Sequence, residues 1–178
     1  MKPIDHEQKA EPLHFSCRDT PLGVILAATG IAGVRAILLG NSEVDVAREL
    51  NSITVGAMLI EDADSVGTIL DQVVAYIDTP QRRPELRMDL RGTPIQLAVW
   101  DALCAIPAGQ TRSYGDISKS LAMAATAQDV GAACAANVLA LVVPCHRVVK
   151  ADGSISGYRW GVHRKRRLLE REALACRA

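Results

Sequence analysis

With 178 residues, 49% hydrophobic and only 3% aromatic, the chain is sized for one domain or two small lobes around an aliphatic, alanine-rich core. Its 20 basic and 20 acidic side chains cancel, which excludes a globally basic protein, and its hydrophobic content excludes a long disordered one. The cancellation hides an asymmetry: residues 1–90 carry 8 basic and 14 acidic groups while residues 91–178 carry 12 and 6, so a polyanion is expected to dock on the C-terminal half alone.

The chain starts with scattered charges at Lys2, Asp5, Glu7, Lys9 and Glu11, where a secretory signal needs a basic start and an apolar core. Residues 1–11 read as a flexible N-terminus. From 13 to 39, three β-prone clusters are punctuated by Asp19-Thr20-Pro21, Gly30 and Gly33, which predicts an antiparallel meander. Apolar residues at helical spacing over 43–50 and 64–77 predict two helices covering one sheet face. Residues 78–94 collect Pro80, Pro84, Pro94 and four arginines without periodicity, which suits a crossing segment. The boundary falls near Arg91, dividing a domain at 12–90 from one at 91–178.

Beyond the boundary, 95–103 is helical, and Pro107-Ala108-Gly109-Gln110 forces a turn before Ser113, an N-cap for a helix reaching Leu121. Thr126 with Asp129 three residues on makes a capping box that opens the alanine-rich run 130–136. Two short helices around a small turn suggest a helix-turn-helix. The apolar run 141–144, a turn at 151–154, a glycine-rich loop at 157–161 and a terminal helix from about His163 complete the chain. The longest uncharged stretch, 130–146, is interrupted by Asn137 and Pro144 and falls short of the roughly 18–20 apolar residues of a membrane span.

Cys17, Cys104, Cys134, Cys145 and Cys176 form an odd set with neither a Cys-x-x-Cys pair nor metal-ligand spacing, so free thiols in a reducing cytoplasm and no bound metal are expected. Cys145 stands out because His146 and Arg147 follow it directly and Pro144 precedes it. A nucleophilic cysteine needs a base or a positive environment to become thiolate. Adjacency alone does not supply one, since successive side chains on an extended segment point to opposite sides.

The wider context is more specific. The string Pro144-Cys145-His146-Arg147-Val148-Val149, Asn137 before it, and Gly157-Tyr158-Arg159-Trp160-Gly161 after it resemble the O6-alkylguanine-DNA alkyltransferase family. Phe15-Ser16-Cys17-Arg18-Asp19-Thr20-Pro21-Leu22-Gly23 and Leu168-Leu169-Glu170-Arg171-Glu172 extend the likeness over nearly the whole chain, toward the C-terminal alkyltransferase domain of Ada-type adaptive-response proteins. The resemblance implies an α/β, ribonuclease-H-like N-terminal lobe and a mostly helical C-terminal lobe with a winged helix-turn-helix. It implies irreversible transfer of an alkyl group from guanine O6 or thymine O4 onto Cys145, once per molecule and without a cofactor. The implied partner is alkylated double-stranded DNA, entered from the minor groove with the base flipped out, and the implied state is a monomer.

By the same resemblance, His146 and Glu172 relay the thiol proton through water, and Asn137 ties the recognition helix to the active-site turn. Tyr114 donates a proton to the leaving guanine. Tyr158 walls the base pocket with Val148 and Gly157, while Arg159 and Trp160 narrow its entrance. Thr126, Ala127, Gln128, Ala132 and Arg147 are the expected DNA contacts. One position departs from the family: Gln128 stands where an arginine usually inserts into the duplex, with Ala124-Ala125 before it and Asp129 after it. Weak DNA binding is therefore expected, with compensating charge from Arg112, Lys119, Arg147, Lys150 and the cluster Arg164-Lys165-Arg166-Arg167.

Overall fold

The glycine-punctuated runs of the first forty residues close into an antiparallel meander in this computed structural model, which describes residues 11–176. Strands β1 (Pro12–Thr20), β2 (Gly23–Gly30) and β3 (Gly33–Gly40) pair in chain order. The β1–β2 turn needs glycine at position 23: its φ is +102°, and a Cβ there would lie 2.4 Å from the Gly40 carbonyl oxygen. Apart from Glu11, the N-terminal segment expected at 1–11 lies outside the described residues.

Helix α1 (Glu43–Ile53) starts at Ser42, whose side chain accepts from the Asp45 amide, and buries Val46 and Leu50 against β2 and β3. Helix α2 (Ala63–Asp78), capped by Asp62, buries Val66, Leu70, Val73, Tyr76 and Ile77 against β1 and β2. Between the helices lies a strand that the sequence patterning did not predict. β4 (Met58–Glu61) pairs in parallel with β1 and gives the order β3-β2-β1-β4. Four residues contain only two turns of a period-2 pattern, too few to stand out between two helices.

Residues 79–93 cross between the halves without a helix, as their composition suggests. Their role is to satisfy the outer edge of β3: the Val34 amide donates to the Arg87 carbonyl at 2.8 Å, and the Asp89 amide to the Val34 carbonyl at 2.9 Å. Further along the same edge, the Ile37 amide donates to the Val138 carbonyl and the Ala140 amide to the Ile37 carbonyl, both at 2.9 Å. The segment that leads into Cys145 is thus stitched by backbone bonds to the N-terminal sheet.

The C-terminal half is mostly helical. Helix α3 (Pro94–Cys104) opens with a Thr93–Gln96 capping box and Pro94 at its first position. Strand β5 (Arg112–Ser113) leads into α4 (Tyr114–Ser120), capped by Ser113, and α5 (Ala127–Ala136) opens on the expected Thr126–Asp129 box. A 3-10 turn, Cys145–Arg147, precedes β6 (Val148–Val149), which pairs in parallel with β5, and α6 (Val162–Ala175) closes the half. α5 packs on α3 and α4, and the Trp100 indole donates to the Ala133 carbonyl at 2.9 Å. Among the described residues no helix is long and apolar enough to cross a membrane.

Candidate active site

Cys145 lies at the end of a constrained segment. Leu141, buried, has φ +70°, a left-handed conformation that costs a non-glycine residue about 1–2 kcal/mol. Asn137, also buried, offsets that strain by hydrogen-bonding across the turn. Its Oδ1 accepts from the Leu139 amide at 2.8 Å, and its Nδ2 donates to the Val143 carbonyl at 3.0 Å and lies 3.3 Å from Cys145 Sγ. Asn137 is the C-cap of α5, so the helix end and the cysteine are held by one amide.

Cys145 borders a cavity of about 330 Å³ that Tyr114, Gly131, Cys134, Ala135, Gly157, Tyr158 and Arg159 complete. Burial pushes its thiol up to about 11, against the Asn137 hydrogen bond and the Lys165 charge, which pull it down. At neutral pH the resting group is a thiol, and nucleophilic attack requires a base. Cys134, in the same cavity wall, is pushed by burial to about 12.

The 3-10 turn carries His146 inward, where its Nε2 lies 2.8 Å from Glu172 Oε1 on α6. Burial lowers the affinity of His146 for a second proton, although Glu172 opposes this. A neutral imidazole donating from Nε2 to the carboxylate leaves a lone pair on Nδ1, and Nδ1 is buried without a partner among the described residues. Burial alone would raise the Glu172 carboxyl, but hydrogen bonds from His146 and Arg147 and the Arg147 charge hold it well below the usual carboxylate range. Its second oxygen accepts from the Gly109 amide at 3.0 Å.

Tyr114 enters the cavity from the first turn of α4 and hydrogen-bonds Ser156 Oγ at 2.6 Å. Tyr158 meets His146 edge-on, with ring centroids 6.4 Å apart, and its hydroxyl is buried without a partner among the described residues. Arg159 crosses the cavity wall, donating to the Ala135 carbonyl at 2.7 Å and to Glu49 of α1 at 2.9 Å.

Residues 94–174 match the family described as 6-O-methylguanine DNA methyltransferase, DNA binding domain. Over 160 residues the chain is 35% identical to the methylated-DNA–protein-cysteine methyltransferase of Mycobacterium tuberculosis strain H37Rv, covering 90% of this chain and 92% of the relative. The chain belongs to the O6-methylguanine-DNA methyltransferase family. It is also 43% identical over 162 residues to the regulatory protein ada of Salmonella typhimurium, covering 90% of this chain and 46% of that one. The chain spans about half the length of the Ada relatives it matches. The crystal structure of Mycobacterium tuberculosis OGT in complex with DNA superposes with a TM-score of 0.75 at 32% identity, over 91% of this chain and 94% of that chain. Like that OGT structure, this O6-methylguanine-DNA methyltransferase family member joins an N-terminal mixed sheet to a helical C-terminal part.

Within this O6-methylguanine-DNA methyltransferase fold, α5 presents Thr126, Ala127, Gln128, Ala132 and Ala135 to solvent, a face of small side chains with no cation. Asp129 is engaged by the Thr126 amide and hydroxyl, so its charge serves the helix start. Other expectations need correction. Arg147 is no DNA contact: it is buried, paired with Glu172 at 2.8 Å and bonded to the Ile106 carbonyl and the Tyr76 hydroxyl. The basic cluster on α6 is split, since Arg164 and Lys165 are buried while Arg166 and Arg167 are exposed.

Trp160 does not border the cavity of this family member; it is buried behind Tyr158, at 5.3 Å between ring centroids. Val148 is fully buried and its carbonyl accepts from Lys165 Nζ. Gly157 does border the cavity, but a Cβ there meets open space, whereas Gly161, at φ +96°, is the glycine the loop requires. Cys134, Ser156 and Lys165 were not singled out by the sequence as site residues. Helical spacing carried a signal for Lys165: it adjoins Arg164, whose turn-to-turn neighbours are Leu168 and Glu172, all buried on one stripe of α6. Among the described residues no cluster of His, Cys, Asp and Glu is suited to a metal ion.

Proposed function

We propose that this family member is a single-turnover DNA repair methyltransferase that moves an alkyl group from O6-alkylguanine, or O4-alkylthymine, in double-stranded DNA irreversibly onto Cys145. The observation that carries the reading is the pairing of a buried thiol with a neutral histidine whose Nδ1 has no partner among the described residues and whose Nε2 is held by Glu172. In the proposed step, Nδ1 takes the thiol proton through a water, and the thiolate attacks the alkyl carbon in line with the departing O6. Tyr114 protonates a ring nitrogen of the leaving base, which departs neutral. The thioether that remains has no leaving group, so the protein acts once. No cofactor enters this scheme.

The DNA-facing reading rests on the exposed face of α5. α4 and α5 form the helix-turn-helix, the short β5–β6 pair with the loop after it forms the wing, and the small side chains let α5 lie close to the minor-groove backbone. A flipped base would enter the cavity between Tyr114 and Tyr158, with Arg159 at its mouth and Gly157 in its wall. The strand order β3-β2-β1-β4, with β4 parallel to β1, supports a ribonuclease-H-like N-terminal domain at 12–90, packed on a catalytic domain at 91–178. Action as a monomer in a reducing cytoplasm completes the reading, since Cys145 has to remain a thiol. Gln128, exposed on the first turn of α5, favours a second reading in which the donor is a free base or another non-duplex species.

Intact mass after incubation with an O6-methylguanine duplex, with free O6-methylguanine in parallel, followed by peptide mapping, tests both. One added methyl, at Cys145, taken from the duplex and absent in Cys145→Ala, is expected. Uptake from the free base alone selects the second reading, and uptake from neither overturns the acceptor chemistry.

A further inference from the structure

Lys165 is a fully buried ammonium whose charge favours the Cys145 thiolate but whose hydrogen bonds the transfer step does not use. Its acceptors are all neutral oxygens: the Val148 carbonyl, Ser156 Oγ at 3.3 Å and the Gly157 carbonyl at 3.4 Å. Burying an ammonium without a carboxylate partner is unfavourable, even when its protons are hydrogen-bonded. Two of these acceptors would serve an ordinary loop clamp. The third does more, because Ser156 Oγ is also 2.6 Å from the Tyr114 hydroxyl, in the wall of the Cys145 cavity.

An ammonium only donates, so Ser156 Oγ accepts from Lys165 and its own proton is free to be given onward. Given to Tyr114, that proton fills one lone pair of the phenol and leaves the phenolic hydrogen directed into the cavity. Either hydroxyl of that pair can donate; with the Ser156 proton on the Tyr114 side, the chain Lys165 Nζ, Ser156 Oγ, Tyr114 Oη runs from the interior toward the cavity. Resting on the methyltransferase reading, we infer that Ser156 and Lys165 are positioning residues that orient Tyr114 as proton donor and resupply its proton as guanine leaves.

The balance is as follows. The Cys145 thiolate forms the S–C bond and the C–O6 bond breaks, leaving its electron pair on the purine. Tyr114 gives its proton to a ring nitrogen, Ser156 gives its own to Tyr114, and Lys165 replaces that of Ser156. Guanine leaves neutral, and Lys165 is left as a neutral amine that regains a proton from solvent once the cavity empties. Burial lowers the proton affinity of Lys165, which eases this release, and raises that of Tyr114, against the Ser156 hydrogen bond. An isolated phenol here would be a poor donor.

The test uses Ser156→Ala, Ser156→Thr, Tyr114→Phe and the Ser156→Ala/Tyr114→Phe pair in the full chain. It reads single-turnover methyl uptake from an O6-methylguanine duplex beside the dissociation constant for the same duplex without the lesion. Ser156→Ala is expected to slow uptake by about tenfold or more with duplex affinity unchanged, less than the roughly 10²–10⁴-fold of a general acid because Tyr114 itself remains. Ser156→Thr, which keeps the hydroxyl, restores the rate, and Ser156→Ala adds nothing in the Tyr114→Phe background. A wild-type rate in Ser156→Ala overturns the relay, as does loss without rescue by threonine, or an equal loss with and without the tyrosine hydroxyl. A wild-type protein that takes up no methyl would instead sink the methyltransferase reading, and the relay with it.

Discussion

The two sides of Cys145 are built on opposite plans. Behind it, Arg147, Glu172, His146, Arg164 and Lys165 place ionisable groups in the interior, His146 held by one hydrogen bond and the others by several. In front of it, the exposed face of α5 carries Thr126, Gln128 and three alanines, and the whole helix contains no cation. The contrast shows that the basic surplus of the C-terminal half is not a measure of its attraction for DNA. Three of its 12 cations, Arg147, Arg164 and Lys165, serve the interior. Exposed charge is left to groups such as Arg112, Lys119, Lys150, Arg166 and Arg167.

Breaking the interior side has the largest effect. Arg147→Met strands the Glu172 carboxylate with much of its compensating charge gone, and removing one partner of a buried pair costs about 3–5 kcal/mol. Urea denaturation at neutral pH is expected to show that loss. The pH dependence sharpens it. The folded-state Glu172 pKa is depressed below the ordinary 4.5, so its contribution is complete above that value and is lost as pH falls through and below it. The gap between wild type and Arg147→Met therefore narrows below about pH 4.5, and a constant gap down to pH 3 would refute the ion-pair account.

Asn137→Ala comes next. It leaves the Leu139 amide unpaired beside a left-handed Leu141 and takes from the Val143 carbonyl one of its two donors, the other being the Cys145 amide, and a buried orphan costs about 1–3 kcal/mol. Lost stability is expected together with slower methyl uptake, because Cys145 loses both its tether and the amide that favours thiolate. Full uptake at reduced stability would reduce Asn137 to a turn clamp.

The contrast also explains what the sequence could tell. Helix starts were legible because caps are local: Ser113 with Asp116 and Thr126 with Asp129 satisfy amides within one turn. Cys145, His146, Asn137 and Glu172 were named through the family resemblance of their strings, and the fold brings them together around one turn and α6. Arg147 and Lys165 were misread because an interior charge differs from a surface charge only through distant partners, Glu172 for one and the Ser156 loop for the other. Trp160 was misplaced because adjacency to Tyr158 does not say which ring faces the cavity. β4 was missed because its pairing with β1, more than forty residues upstream, outweighs a pattern four residues long.

The exposed side is broken by adding what it lacks. Gln128→Arg places a cation on the first turn of α5, where the Thr126–Asp129 box already fixes the backbone and nothing else competes for the new side chain. One additional phosphate contact releases about one more counterion, so the slope of log affinity against log salt steepens by about 0.9. Anisotropy titrations of a lesion-free duplex at several salt concentrations measure it, with the tighter binding most evident at low salt. The arginine's long planar side chain also suits the gap left by an extruded base better than glutamine does, so methyl uptake from duplex is expected to rise more than duplex affinity. A steeper slope without faster uptake means that α5 meets the phosphates but not the base stack. An unchanged slope means that this face of α5 does not approach the phosphates at all.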